Sequence, residues 1–130
     1  MMKLNHIGYV VKNLGATGSA FQKLGYSCEA PVDFPAHKCR VCFLRKDNEI
    51  PVELVEPYPE NKSLARLATN EAAPYHLCYE VEDIDAECAR LADEGYLALS
   101  EPLPAPAFGG RKICYLWSRE LGYMELLNIK

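Results

Sequence analysis

The chain has 130 residues, 49% of them hydrophobic, a formal charge of −4 and no cluster of basic side chains; that length suits one domain burying roughly two-thirds of its unfolded surface without staples. The acidic balance speaks against nucleic acid and anionic membrane as partners. No apolar run approaches the ~18 residues that span a bilayer and the start lacks a signal-peptide pattern, so a cytoplasmic protein acting on small molecules is expected.

A strand over about 4–11 opens the chain, with His6 at its start ahead of the apolar, β-favouring run Ile7–Val11. Asn13 then stands where a helix N-cap belongs, because its side-chain oxygen can accept an orphan backbone N–H. Leu14, Thr17, Ala20, Phe21 and Leu24 recur at helical spacing, and Gly25 ends the helix. A weak strand near 26–30 and two stronger ones near 39–46 and 50–56 follow. Within them, Cys39 and Cys42 of "CRVC" fall on opposite faces of a strand, which favours reduced core thiols over a metal or redox pair, as for the other four cysteines. His37, in "DFPAHKC", reads as a surface residue of a turn. The stretch "EPYPENKSLARLATNEAAP" is a connection with proline breaks and a short helix, Ser63 being its expected cap. From 75 onward the order repeats: a strand over 75–81 bearing His76, Asp83 as cap, a helix with Ile84, Cys88, Leu91 and Ala92 on one stripe, Gly95 as its stop, and strands near 96–100, 111–117 and 123–129.

The chain is thus written twice. Shifted by 70, "HIGYVVKNLGATGSAFQKLGY" lies on "HLCYEVEDIDAECARLADEGY"; shifted by 72, "RVCFL" lies on "KICYL" and "VELV" on "MELL". This predicts an α+β fold of two paired βαβββ modules, forming a cupped, incompletely closed eight-stranded mixed sheet with helices outside. Residues 1–130 form a single domain on this reading, with module one at 1–58, the connection at 59–74 and module two at 75–130.

The repeat also pairs His6 with His76 and Glu53 with Glu125. Each glutamate interrupts an apolar strand, and an unpaired buried carboxylate costs several kcal/mol, so such groups are exposed, paired or bound to a cation. Taken singly, a strand histidine or glutamate is an ordinary surface feature. Two of each at symmetry-related positions of a duplicated module are brought together by a pseudo-twofold axis, and the resulting N2O2 set suits one divalent ion such as Ni, Co, Zn, Mn or Fe.

The segments "HIGYVVKNL", "VELVEP", "YHLCYEVEDID", "GGRKICYL" and "LGYMELLN" resemble, in order, those of the vicinal oxygen chelate superfamily, which includes glyoxalase I, methylmalonyl-CoA epimerase, extradiol dioxygenases and antibiotic-resistance proteins. The resemblance implies paired βαβββ modules around one metal, held by His6, Glu53, His76 and Glu125, often in a homodimer. It implies proton transfer next to a carbonyl through a metal-stabilised enediolate, with Glu125 as the leading base and Glu53 its rival. Arg40 aligns where some epimerases carry a further glutamate, and some have glutamine at the position of Glu53. These departures favour a glyoxalase I-like lyase (lactoylglutathione lyase). The alternatives are a methylmalonyl-CoA epimerase-like isomerase acting on a thioester and a non-catalytic protein that binds an antibiotic-type small molecule.

Overall fold

The computed structural model describes residues 2–130. The fold is mixed α+β, with ten strands and three short α-helices among the described residues: β1 (Lys3–Val10), α1 (Leu14–Gln22), β2 (Ser27–Cys28), β3 (Val32–Phe34), β4 (Cys39–Arg45), β5 (Val52–Pro57), α2 (Lys62–Ala65), β6 (Ala73–Val81), α3 (Ile84–Asp93), β7 (Leu97–Ala98), β8 (Leu103–Pro104), β9 (Lys112–Ser118) and β10 (Gly122–Asn128). The chain divides into two compact units. One is His6–Tyr75; the other comprises His76–Lys130 with the N-terminal residues up to Asn5.

In the first unit the strand order is β2-β4-β5-β1. β1 and β5 run parallel, with Gly8 opposite Glu53; β4 is antiparallel to β5, with Phe43 opposite Glu53. Residues facing each other in register share a face, so Gly8, Phe43 and Glu53 project to one side, and His6, two residues before Gly8, joins them. The opposite side carries the core: Val11, Leu14, Cys42, Leu44, Val52 and Leu54, with Phe21 and Tyr26 packed against them. Helix α1 is tied down at its start. Asn13 accepts from the Ala16 N–H at 2.8 Å, as its type predicts, and the Leu14 N–H donates to Glu56 Oε2 at 2.9 Å.

The second unit repeats this plan in the order β6-β10-β9-β7. β6 and β10 are parallel, with Cys78 opposite Glu125, and β9 is antiparallel to β10, with Tyr115 opposite Glu125. Its helix-side core contains Val81, Ile84, Leu91, Cys114, Leu116, Met124 and Leu126. Asp83 accepts from the Ala86 N–H at 3.1 Å, and the Ile84 N–H donates to Asn128 Oδ1 at 3.0 Å. Both helices are therefore anchored by their own cap and by a side chain near the end of the last strand, which satisfies N–H groups that have no intrahelical acceptor.

Several expectations need correction. The eight strands are joined by two short ones, β3 and β8, each pairing with the first long hairpin strand of its unit, β4 or β9. The α1 stripe is narrower than its periodicity suggests: Leu24 lies beyond the helix and is 62% exposed, while Gly18 is buried. A Cβ at Gly18 would stand 3.4 Å from Cys28 Sγ, so the glycine lets β2 approach the helix. The cap of α2 is Asn61, which accepts from the Leu64 N–H at 3.2 Å, and Ser63 sits inside the helix, its hydroxyl on the same Asn61 oxygen. The expected helix stops hold: Gly25 and Gly95 have φ of +99° and +97°, a region open to glycine. No helix of the described residues is long and apolar enough to cross a membrane.

Candidate metal centre

Each unit brings one predicted histidine against one predicted glutamate. His6 Nε2 lies 3.3 Å from Glu53 Oε1, and His76 Nε2 lies 3.2 Å from Glu125 Oε1. All four side chains are buried, at 0%, 4%, 3% and 1% exposure in the order His6, Glu53, His76, Glu125. The two pairs have the same construction. Because Gly8 faces Glu53 and Cys78 faces Glu125 across parallel strands, each histidine is a diagonal neighbour of its glutamate, one pleat earlier on the same face.

An aromatic ring completes each pair. Phe43 meets the His6 imidazole edge to face, centroids 5.1 Å apart at 88°. Tyr115 meets His76 in the same way, at 5.2 Å and 85°. Such contacts hold the plane of an imidazole and leave its Nε2 aimed at the carboxylate. These two rings were not singled out from the sequence, although the 72-residue shift that lays "RVCFL" on "KICYL" already set Phe43 on Tyr115.

The donor set fits a divalent ion. Imidazole nitrogen and carboxylate oxygen each sit about 2.1 Å from such ions, so two neighbouring donors on one ion lie about 3.0–3.4 Å apart. The observed 3.2 and 3.3 Å fall in that interval, and exceed the roughly 2.7–2.9 Å of a strong hydrogen bond between charged partners. A carboxylate this buried needs a cation or a proton donor beside it, which each pair provides for.

Arg40 lies elsewhere. It faces Glu56 across β4 and β5 and stands 3.6 Å from Asp33 Oδ1. Three residues before Phe43 on an extended strand, it projects from the face opposite Glu53, the face whose Glu56 serves the α1 terminus. An arginine there says nothing about a second base near Glu53, and the weight it lent to the lyase reading disappears.

Of the cysteines, the fully buried Cys78 shares a face with Glu125. No disulfide joins the six. Cys42 and Cys114 occupy equivalent positions on the helix side, and each thiol donates to a backbone carbonyl, Glu29 O at 3.1 Å and Ser100 O at 3.2 Å. Burial pushes both thiols up, reinforced at Cys42 by Cys28 and Glu29; Cys114, hydrogen-bonded to Cys88, is pushed up to about 12. These are structural thiols. His37 ends a turn of 3-10 helix (Pro35–His37) and stacks on Phe34 at 4.3 Å, half-buried rather than on the open surface.

Relatives similar to this chain over most of its length include acyl-CoA epimerases. The chain is 31% identical over 121 residues to the ethylmalonyl-CoA/methylmalonyl-CoA epimerase of Cereibacter sphaeroides, covering 91% of this chain and 90% of that one. It is 28% identical over 123 residues to the mitochondrial methylmalonyl-CoA epimerase of Homo sapiens, covering 92% and 69%. The crystal structure of methylmalonyl-CoA epimerase from Mycobacterium tuberculosis shares the fold, with a TM-score of 0.82 at 21% identity over 96% of this chain and 86% of that one. The family model of the Glyoxalase/Bleomycin resistance protein/Dioxygenase superfamily matches residues 5–115. With its duplicated strand–helix–strand plan and its repeated His–Glu pairs, the chain belongs to that superfamily.

Proposed function

We propose that this chain is a metal-dependent acyl-CoA epimerase of the methylmalonyl-CoA epimerase type, in which His6, Glu53, His76 and Glu125 together hold one divalent ion. The observation that carries the reading is the twofold occurrence of a buried, diagonally placed His–Glu pair, in a chain 31% identical to an ethylmalonyl-CoA/methylmalonyl-CoA epimerase over nine-tenths of both lengths. That relationship favours the isomerase over the glyoxalase I-like lyase, and Arg40, on the face opposite Glu53, bears on neither reading.

A divalent ion would supply electrophilic stabilisation of the charge that develops on a thioester carbonyl when the adjacent C–H is ionised. The protein's own residues do the rest. Glu125 takes the α-proton from one face of the substrate carbon, and the return of a solvent-derived proton to the other face inverts it; Glu53, its symmetry-related rival as the base, is assigned to holding the ion. The order is one C–H bond broken and one formed, with no net change in composition. Phe43 and Tyr115 hold the imidazoles edge to face and lie directly opposite the glutamates across the strands.

The test is solvent exchange. Metal-loaded protein incubated in D2O with methylmalonyl-CoA is expected to incorporate deuterium at the α-carbon, and to carry about one equivalent of metal that His6→Ala and His76→Ala each lose. No deuterium uptake at high enzyme concentration, with thioester formation from methylglyoxal and glutathione instead, restores the lyase reading. Full retention of metal in both alanine variants overturns the four-ligand set.

A further inference from the structure

The two units differ where their repeat would make them alike. On β9 of the second unit Tyr115 and Trp117 alternate onto the face that carries Glu125, with Tyr123 opposite Trp117. The next strand continues that face: Leu97 is opposite Trp117, and the Leu99 N–H donates to the Tyr115 carbonyl at 2.9 Å, which sets Leu99 beside Tyr115. Leu97, Leu99 and Trp117 are 59%, 46% and 38% exposed, against 3% and 1% for His76 and Glu125. A largely apolar face thus runs outward from the His76–Glu125 pair across three neighbouring strands, in register.

The first unit has the same backbone with different side chains. Ser27 faces Arg45 as Leu97 faces Trp117, and the Glu29 N–H donates to the Phe43 carbonyl at 2.9 Å as Leu99 does to Tyr115. There Arg45 Nε sits 2.7 Å from Glu29 Oε2, and the Arg45 guanidinium lies 5.4 Å from the Phe43 ring centre. One half closes its face with a surface ion pair. The other leaves two leucines and a tryptophan in the open, where each exposed apolar side chain is unfavourable unless something covers it.

We infer that Leu97, Leu99 and Trp117 form a subsite for an apolar alkyl or aryl group of the substrate's acyl part, larger than methyl or ethyl, and so set chain-length preference. The inference rests on the thioester reading above. Leu97 and Leu99 lie two strand spacings from Glu125, roughly 10 Å, beyond the reach of a one- or two-carbon branch held there. Beyond Glu125 the strand positions of this face carry only leucine, tyrosine and tryptophan, with Arg119 and Glu120 bordering Trp117 at its outer end; in contrast with its Glu29–Arg45 counterpart this selects an apolar chain, and the aromatic row Tyr115–Tyr123–Trp117 provides a continuous path from the carboxylate.

Trp117 is the single tryptophan of the chain, so its emission reports occupancy of the face whether or not turnover occurs. Metal-loaded protein is titrated with 2-alkylmalonyl-CoA thioesters from methyl to hexyl, and with the same acyl series on N-acetylcysteamine. Expected are a blue shift of Trp117 emission that begins with chains longer than ethyl, and an affinity rising about three- to fourfold per methylene in contact, on both thiol carriers. Leu97→Ser, which installs the side chain found at the equivalent position 27, flattens that series, and Leu97→Met retains it. The inference is overturned if the wild-type series is flat while methylmalonyl-CoA exchanges normally. It is equally overturned if emission follows the thiol carrier rather than the chain, or follows protein dilution without ligand, which would mean that a second copy covers the face. Emission that titrates with chain length in a protein exchanging no thioester α-proton keeps the subsite and overturns the epimerase reading alone.

Discussion

Glu125→Gln and Glu53→Gln form the most informative pair of substitutions, because the structure makes the two glutamates nearly equivalent and the proposed chemistry does not. Both carboxylates are buried, at 1% and 4% exposure, and both lie within 3.2–3.3 Å of an imidazole Nε2. Glutamine is isosteric and keeps an oxygen that the imidazole or an ion can meet, so neither change opens a cavity, and folding stability should move by no more than about 1 kcal/mol. What is lost at Glu125 is a base. Removal of a positioned general base costs about 10²- to 10⁴-fold, so α-proton exchange in Glu125→Gln is expected to fall by at least a hundredfold. At Glu53, where glutamine occurs in some epimerases of the resembling family, the loss should stay under about tenfold once metal is saturating, with one fewer anion weakening metal binding. The assay is loss of the α-proton signal of methylmalonyl-CoA in D2O, followed by NMR, with metal content measured on each preparation. Glu125→Gln retaining more than about a third of wild-type exchange at full metal occupancy refutes the assignment of the base. Equal losses in the two variants refute the asymmetry.

Three further outcomes follow from the same geometry. Asn13→Ala and Asp83→Ala each remove a helix cap that accepts from a backbone N–H; each should lower stability by about 1 kcal/mol in urea denaturation, and roughly additively, since the caps belong to separate helices. Cys114, with its thiol pushed up to about 12, should carry thiolate on only about one molecule in ten thousand at pH 8, whereas Cys28 is exposed. Mass spectrometry after brief native alkylation should find Cys28 modified and Cys114 untouched; comparable labelling of the two contradicts the burial argument. Because this pKa is raised above the ordinary thiol value of 9.0, the unfolded chain ionises first, and the contribution of Cys114 to stability is complete below pH 9 and lost as pH rises towards 12. Chelation should lower the melting temperature: free metal at a hundred times its dissociation constant stabilises by about 2.7 kcal/mol, a shift on the order of 10 °C for a domain of this size. An unchanged melting temperature after verified metal removal would contradict a shared four-residue site.

The duplication was legible in the amino-acid sequence alone, and with it most of the plan. Hydrophobic periodicity, the two Asn/Asp caps and the glycine stops each act within a few residues, so Asn13, Asp83, Gly25 and Gly95 appear in the structure in the roles their types imply. The candidate ligands were legible for a different reason. A buried-strand pattern does not tolerate histidine and glutamate without cause, and the repeat showed both intrusions twice. What no local pattern contains is register. Whether a strand residue faces the site or the helix depends on which residue of the neighbouring strand it meets, and a slip of one reverses every side chain. That is why Arg40 could be taken for a site position until Phe43 was seen opposite Glu53. It is also why Phe43 and Tyr115 emerged only as rings against the imidazoles, and why Leu97, Leu99 and Trp117, distant in sequence and individually ordinary, became one face. Residue types thus determined which chemistry was available; strand pairing, a long-range property of the folded chain, decided which side chains share a surface with it.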